Sequence, residues 1–270
     1  MASLTPDPQA VIAALCDELP PDAAPEQVVA QVERAFEALG SEADAAGQQR
    51  FMPGLERAYG VRVPHLRTIA AHVARVLKRD PERCRAVALA SWPRGAREHR
   101  LFACFLVERV KLPPAACWEL GAGWLPDVQT WEDCDQLCGV TLGRALAADP
   151  AYMDTLAGWT SDPRLWWRRA ALVSTVYLRR SKLPPDVLHS LDERALGLCA
   201  ALRDDGEPYI RKAVDWAVRE VIERHYALGR DWMLAQAAGG LSRTAQTTLK
   251  LSAKKLNEAD REAFLEILAA

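Results

Sequence analysis

Apolar residues recur at spacings of three and four along almost the whole chain, and the strict alternation of a half-buried strand is absent. That periodicity leaves room for little except helices. Proline punctuates it at places where a helix can begin, because a missing N–H is tolerated in a first turn. Helix starts are expected near Pro25, Pro64, Pro81, Arg94, Pro113, Trp131, Pro150, Pro163, Pro184, Pro208, Arg230, Ser242 and Asn257. Asp precedes Pro at 80/81, 149/150 and 162/163, which sets a capping oxygen ahead of each first turn. Elements this short and closely spaced build a core by stacking helix pairs.

An internal recurrence points to the same architecture. Leu89-Ala90-Ser91-Trp92 returns as Leu156-Ala157-Gly158-Trp159, 67 residues on, and Lys111-Leu112-Pro113-Pro114 returns as Lys182-Leu183-Pro184-Pro185, 71 residues on. A period of that size exceeds one helical hairpin, so each unit is expected to hold three or four helices, as in a degenerate HEAT-like array. The expected fold is all-α, a HEAT-like helical-repeat solenoid with a concave, basic face suited to duplex DNA. Residues 1–24 are expected to form a partly flexible extension, and residues 25–270 a single HEAT-like domain.

Other classes are disfavoured. No stretch approaches the roughly 18 uninterrupted apolar residues of a membrane-spanning helix. Met1 to Pro25 is acidic and interrupted by proline rather than basic and then apolar, so no export signal is expected and a cytoplasmic location is. Seven scattered cysteines fit buried or free thiols better than a disulfide framework. Cys134 and Cys138 lack a second Cys or His pair at finger-like spacing, so no metal and no cofactor is expected.

Net charge is only −2, but it is unevenly spread. Residues 1–61 hold ten acids and three bases, residues 62–111 twelve bases and four acids, and residues 162–182 six bases and one acid. The two positive blocks suit a shared polyanion, or else they solubilise outer helix faces.

Three helices hold side chains that their packing faces do not explain. On Pro163 to Arg180, at about 100° per residue, Leu165, Trp166, Leu172, Val173, Val176 and Tyr177 form one stripe with Arg169 near its middle and Arg168 at its edge. A guanidinium so placed needs an anion, either a protein carboxylate or a phosphate. On Pro208 to Glu223 the stripe is Ile210, Ala213, Val214, Ala217, Val218 and Val221, and Trp216 projects away from it between Lys212 and Arg219. An indole among cations suits contact with sugar or base while the cations hold phosphates, although packing on the next repeat would also place it there. The third helix opens at Thr130, whose hydroxyl can cap it, and stacks Trp131 and Asp135 one turn apart. Leu142 and Leu146 are expected to continue on the side of Asp135, leaving that carboxylate partly desolvated, whereas Glu132 and Asp133 read as partners of the helix dipole.

At these residues the chain resembles the AlkD family of DNA alkylation repair glycosylases, which are built from HEAT-like repeats. Tyr59-Gly60-Val61-Arg62-Val63-Pro64-His65-Leu66-Arg67-Thr68-Ile69-Ala70 resembles the family's N-terminal signature. Trp131-Glu132-Asp133-Cys134-Asp135 resembles its tryptophan-and-acids motif, with Glu132 in place of the more usual Asp. Trp166-Trp167-Arg168-Arg169-Ala170 and the run from Tyr209-Ile210-Arg211-Lys212 through Trp216 to Glu220 resemble its arginine and last tryptophan motifs.

The resemblance implies a monomeric glycosylase that acts on alkylated bases in duplex DNA. Asp135 would be the catalytic carboxylate, Arg169 the phosphate anchor with Arg168 as the competing position, and Trp131 and Trp216 the aromatics that bracket the damaged nucleotide. Arg211, Lys212 and Arg219 would add DNA contacts. The resemblance also implies that the base need not be flipped. The alternative is a noncatalytic HEAT-like scaffold that binds protein or unusual DNA structures.

Overall fold

The computed structural model describes residues 7–269, and every regular element among them is a helix. In chain order the α-helices are α1 (Pro8–Glu18), α2 (Pro25–Leu39), α3 (Glu42–Phe51), α4 (Val63–Val76), α5 (Pro81–Ser91), α6 (Arg97–Glu108), α7 (Pro114–Trp124) and α8 (Trp131–Val140). They continue as α9 (Leu142–Ala148), α10 (Tyr152–Trp159), α11 (Leu165–Val176), α12 (Pro185–Leu202), α13 (Pro208–Arg224), α14 (Tyr226–Ala238), α15 (Arg243–Ser252) and α16 (Glu258–Ala269). No described helix is long and apolar enough to cross a membrane.

The chain divides into two compact units. The first takes residues up to Ala116 together with Pro126–Val140, and the second takes Cys117–Leu125 together with Thr141–Ala270. In the first, α4, α6 and α8 pack in succession, α5 lies against α6 and α2, and α1 lies against α2 and α4. In the second, α9, α11, α13 and α15 form one row of successive neighbours, and α10, α12, α14 and α16 form another beside it. Two rows of helices stacked in chain order are the arrangement of a helical-repeat solenoid. The central helices are buried nearly all round: α6 from Arg97 to Val107 and α11 from Arg169 to Val176.

The recurring tetrapeptides fall at equivalent places in this order. Leu89-Ala90-Ser91-Trp92 runs off the end of α5 and Leu156-Ala157-Gly158-Trp159 closes α10, while the Lys-Leu-Pro-Pro copies lead into α7 and α12. A four-residue 3-10 turn, Tyr177–Arg180, lengthens the second copy.

The helix starts follow local chemistry, with instructive departures. Asp80 caps α5 by accepting from the Arg83 N–H at 3.0 Å. Asp149 and Asp162 instead close turns by accepting from the N–H groups of Ala151 at 3.0 Å and Arg164 at 2.8 Å, so α10 and α11 each begin three residues after the aspartate. α6 begins at Arg97 rather than Arg94, because Gly95 at φ 80° ends a 3-10 turn first. Non-helical backbone at His225 (φ −135°, ψ 77°) lets α14 start at Tyr226, ahead of the expected Arg230. Within the stretch expected to be an extension, residues 1–6 lie outside the described residues, while α1 is capped by Asp7 and buries Ile12 and Leu15. α3 had no stripe to read, since none of its side chains is buried. The Cys16 side chain lies outside those described; the other six cysteines are buried.

Candidate active site

The first unit presents Trp131 and Asp135 on α8, and the start of that helix is held by buried charge. Thr130 Oγ1 accepts from the Asp133 N–H at 3.3 Å, as the capping position requires. Glu132 accepts from Nε and Nη2 of Arg97, at 2.6 and 2.9 Å. Asp133 meets Arg100 at 3.0 Å and accepts from the Gln129 N–H at 3.3 Å. The two acids expected to serve the helix dipole are therefore clamps onto α6. Burial pushes the Asp133 carboxyl up, and the Arg100 guanidinium acts against that shift.

The clamp extends to the Tyr59 motif. Glu98 is fully buried and accepts from the backbone N–H groups of Tyr59, Gly60 and Val61 at 2.8, 3.1 and 3.1 Å. Arg97 also donates to the Val61 carbonyl at 3.0 Å. Gly60 sits at φ 81°, and a Cβ there would meet the Ser41 carbonyl oxygen at 2.1 Å, so only glycine closes this turn. Two sequence motifs some seventy residues apart thus join through Arg97 and Glu98. Arg67 of the same stretch pairs with Glu108 at 2.7 Å and lies over the Phe105 ring. Three arginines of the positive block 62–111, Arg67, Arg97 and Arg100, are therefore paired with acids inside the unit.

Trp131 is half-buried, with the exposed Phe51 ring edge-on at 6.1 Å. The pair faces a cleft of about 400 Å³ that Gln48, Arg62, Arg97 and Glu132 also line. Sequence reading missed Gln48 and Phe51, because both stand on α3, the helix without a buried face. Asp135 is 8% exposed, one turn beyond Trp131. The helix of Asp135 ends at Val140 and does not run on through Leu142 and Leu146. The backbone breaks at Thr141 (φ −126°, ψ −83°), and both leucines belong to α9 in the second unit.

In the second unit Arg169 is 4% exposed on α11, inside the expected stripe, and donates from Nη1 to the Tyr209 carbonyl at 2.6 Å. Arg168 pairs with Asp205 at 2.8 Å and donates to the carbonyls of Asp162 and Pro163, both at 2.9 Å. On α13 the whole predicted stripe is buried, from Ile210 to Val221. Trp216 stands off it, half-buried. Its indole N–H donates to Glu220 at 3.1 Å, Arg179 reaches the same carboxylate at 2.7 Å, and the Tyr177 ring lies edge-on at 6.4 Å. Lys212 is exposed, Arg211 half-buried, and Arg219 pairs with Asp215 at 3.2 Å.

The profile of the family described as DNA alkylation repair enzyme matches residues 32–256. This chain belongs to that family. A solved structure, a predicted DNA alkylation repair enzyme from Enterococcus faecalis, is similar in fold at a TM-score of 0.63 and 19% identity, over 81% of this chain and 97% of that one. No curated protein matches.

All the side chains singled out above lie inside the span matched to the DNA alkylation repair family, whereas α1 lies outside it. In this family member α8 in the first unit and α13 in the second each carry one half-buried indole. The first pairs it with a nearly buried carboxylate, and the second surrounds it with guanidinium groups and an exposed ammonium. A carboxylate beside an aromatic can stabilise a cation, and guanidinium and ammonium groups suit phosphates.

Proposed function

We propose that this DNA alkylation repair enzyme is a glycosylase that hydrolyses the N-glycosidic bond of cationic N3- or N7-alkylated purines in duplex DNA. The observation that supports it most is Asp135: a carboxylate 8% exposed, one turn from an indole, on a helix whose first turn is locked by two ion pairs. A side chain held this rigidly suits electrostatic stabilisation, which depends on groups that need not reorganise.

An alkylated purine bearing a positive charge is already a good leaving group. As the bond from C1′ to the base nitrogen breaks, its electron pair neutralises the base and the sugar becomes oxocarbenium-like. The Asp135 carboxylate favours that developing cation over the ground state. The same oxygens orient a water whose oxygen bonds to C1′ and whose proton passes to the carboxylate or to solvent. Trp131 and Trp216 give the cationic nucleotide electron-rich ring faces, and Arg169 holds a phosphate so that the sugar stays in register. Arg169 is preferred to Arg168 as the anchor because it stands near the middle of the α11 stripe, with Arg168 at its edge. Arg211, Lys212 and Arg219 add backbone contacts, and no base-binding pocket is required.

The test is base release from N-methylated duplex by Asp135→Asn. Duplex affinity should hold while single-turnover release falls by about 10²-fold or more. Unchanged release would remove Asp135 from the chemistry, and tight binding without release by the unaltered protein would make the chain a noncatalytic DNA binder.

A further inference from the structure

A second concavity lies in the second unit, where α13 meets the end of α15 and the 3-10 turn Ala253–Lys255. Its volume is about 330 Å³, and it is lined by Asp215, Arg219, Leu251, Lys254 and Lys255. Its one acid is already engaged: Asp215 accepts from Ser252 Oγ at 3.1 Å and lies 3.2 Å from Arg219 Nε. Lys254 has no hydrogen-bond or ion-pair partner among the described residues and is exposed. Lys255 reaches Glu223 at 2.8 Å through a solvent-exposed bridge, which is worth little and is easily exchanged. Like charges converging on a concave surface repel one another unless an anion sits among them. Leu251, 41% exposed, adds an apolar wall of the kind a deoxyribose covers.

The surroundings extend this positive field along one row of helices. Arg179, from the turn after α11, reaches Glu220 on α13. The Glu223 carboxyl is held below its usual range first by its bond to Lys255, then by the charges of Arg179 and Arg219. Cations from the turn after α11, from α13 and from the turn after α15 therefore border one stretch of surface, with Glu220 and Glu223 among them. A row of cations suits a polyanion with regularly spaced charges better than a single small anion.

We propose that this cleft receives the phosphodiester backbone of duplex DNA through Arg219, Lys254 and Lys255, extending the contact surface of the second unit beyond Trp216 to its C-terminal helices. The inference rests on the DNA-repair reading above. It makes Lys254 and Lys255 positioning cations that touch no reacting atom.

The experiment uses the full chain and an unmodified duplex, with affinity measured by fluorescence anisotropy between roughly 50 and 200 mM salt. Each lost phosphate contact flattens the log-log salt dependence by about 0.9, so the double variant Lys254→Gln/Lys255→Gln should flatten it by about 1.8. The double variant Lys254→Arg/Lys255→Arg should keep the original slope. The glutamine pair should raise the protein concentration needed for half-maximal release from methylated duplex, and the arginine pair should not. A slope unaltered by the glutamine pair, or a loss of affinity that does not vary with salt, overturns the proposal even if base release is normal. Failure of the unaltered protein to bind any duplex overturns the DNA-repair reading and this proposal together.

Discussion

Both ring nitrogens of His99 are buried without a hydrogen-bond partner, packed against Phe36 and Tyr59, with Glu33 at 3.9 Å. Burial pushes the imidazole down to about 4; the attraction of Glu33 offsets part of this, and Arg57 and Arg94 add to it. Because the folded value lies below the unfolded value of about 6.5, the fold favours the neutral ring. That stability is complete above about pH 6.5 and is lost as pH falls towards 4, by about 3 kcal/mol in all. Glu33 is held below its ordinary value of 4.5, first by its bond from Tyr59, so its own contribution fades only at lower pH. Denaturant titrations of the unaltered protein should therefore show stability falling between about pH 6.5 and 4.5, and His99→Leu should flatten that slope. An equal slope in the variant would assign the loss to other groups. Trp131 and Asp135 were legible at this scale, since a spacing of four puts two side chains on one helix face whatever lies around them. Glu132 and Asp133 were not, because their guanidinium partners stand more than thirty residues away in the chain.

α8 shows how an element takes its place from charge as well as from apolar contact. Arg100 and Asp133 are 5% and 0% exposed, so removing one partner strands the other in a medium that does not solvate it. Arg100→Leu should cost about 3–5 kcal/mol in equilibrium unfolding, and Arg100→Leu/Asp133→Leu should recover most of it. Equal losses in the single and double variants would mean that shape, not charge, decides the cost. The helix also ends where its sequence does not announce it. Apolar spacing runs on through Leu142 and Leu146, yet Thr141 breaks the backbone, and the chain passes from one unit to the other there. α3 is the converse case: a helix with no buried side chain shows no period, yet it supplies Gln48 and Phe51 to the cleft at Trp131.

At the scale of the molecule, the chain leaves the first unit after Ala116, returns at Pro126 and leaves again after Val140. Residues 1–116 by themselves lack Glu132 and Asp133, and so hold Arg97 and Arg100 buried without those acids. A fragment of residues 1–116 should melt without cooperativity by circular dichroism, whereas residues 1–140 should show a cooperative transition. Equal cooperativity would make the returning segment dispensable to the first core. The helical class, the repeat and the buried stripe of α13 could all be read from the residues alone, because they follow from periods of a few residues and from the backbone chemistry of Pro, Asp and Gly. Folding in three dimensions alone settled which arginines are neutralised inside the protein, where Asp149 and Asp162 spend their oxygens, and which side chains border Trp131. Those outcomes depend on groups far apart in the chain meeting at hydrogen-bond distance, and no short-range pattern records such a meeting.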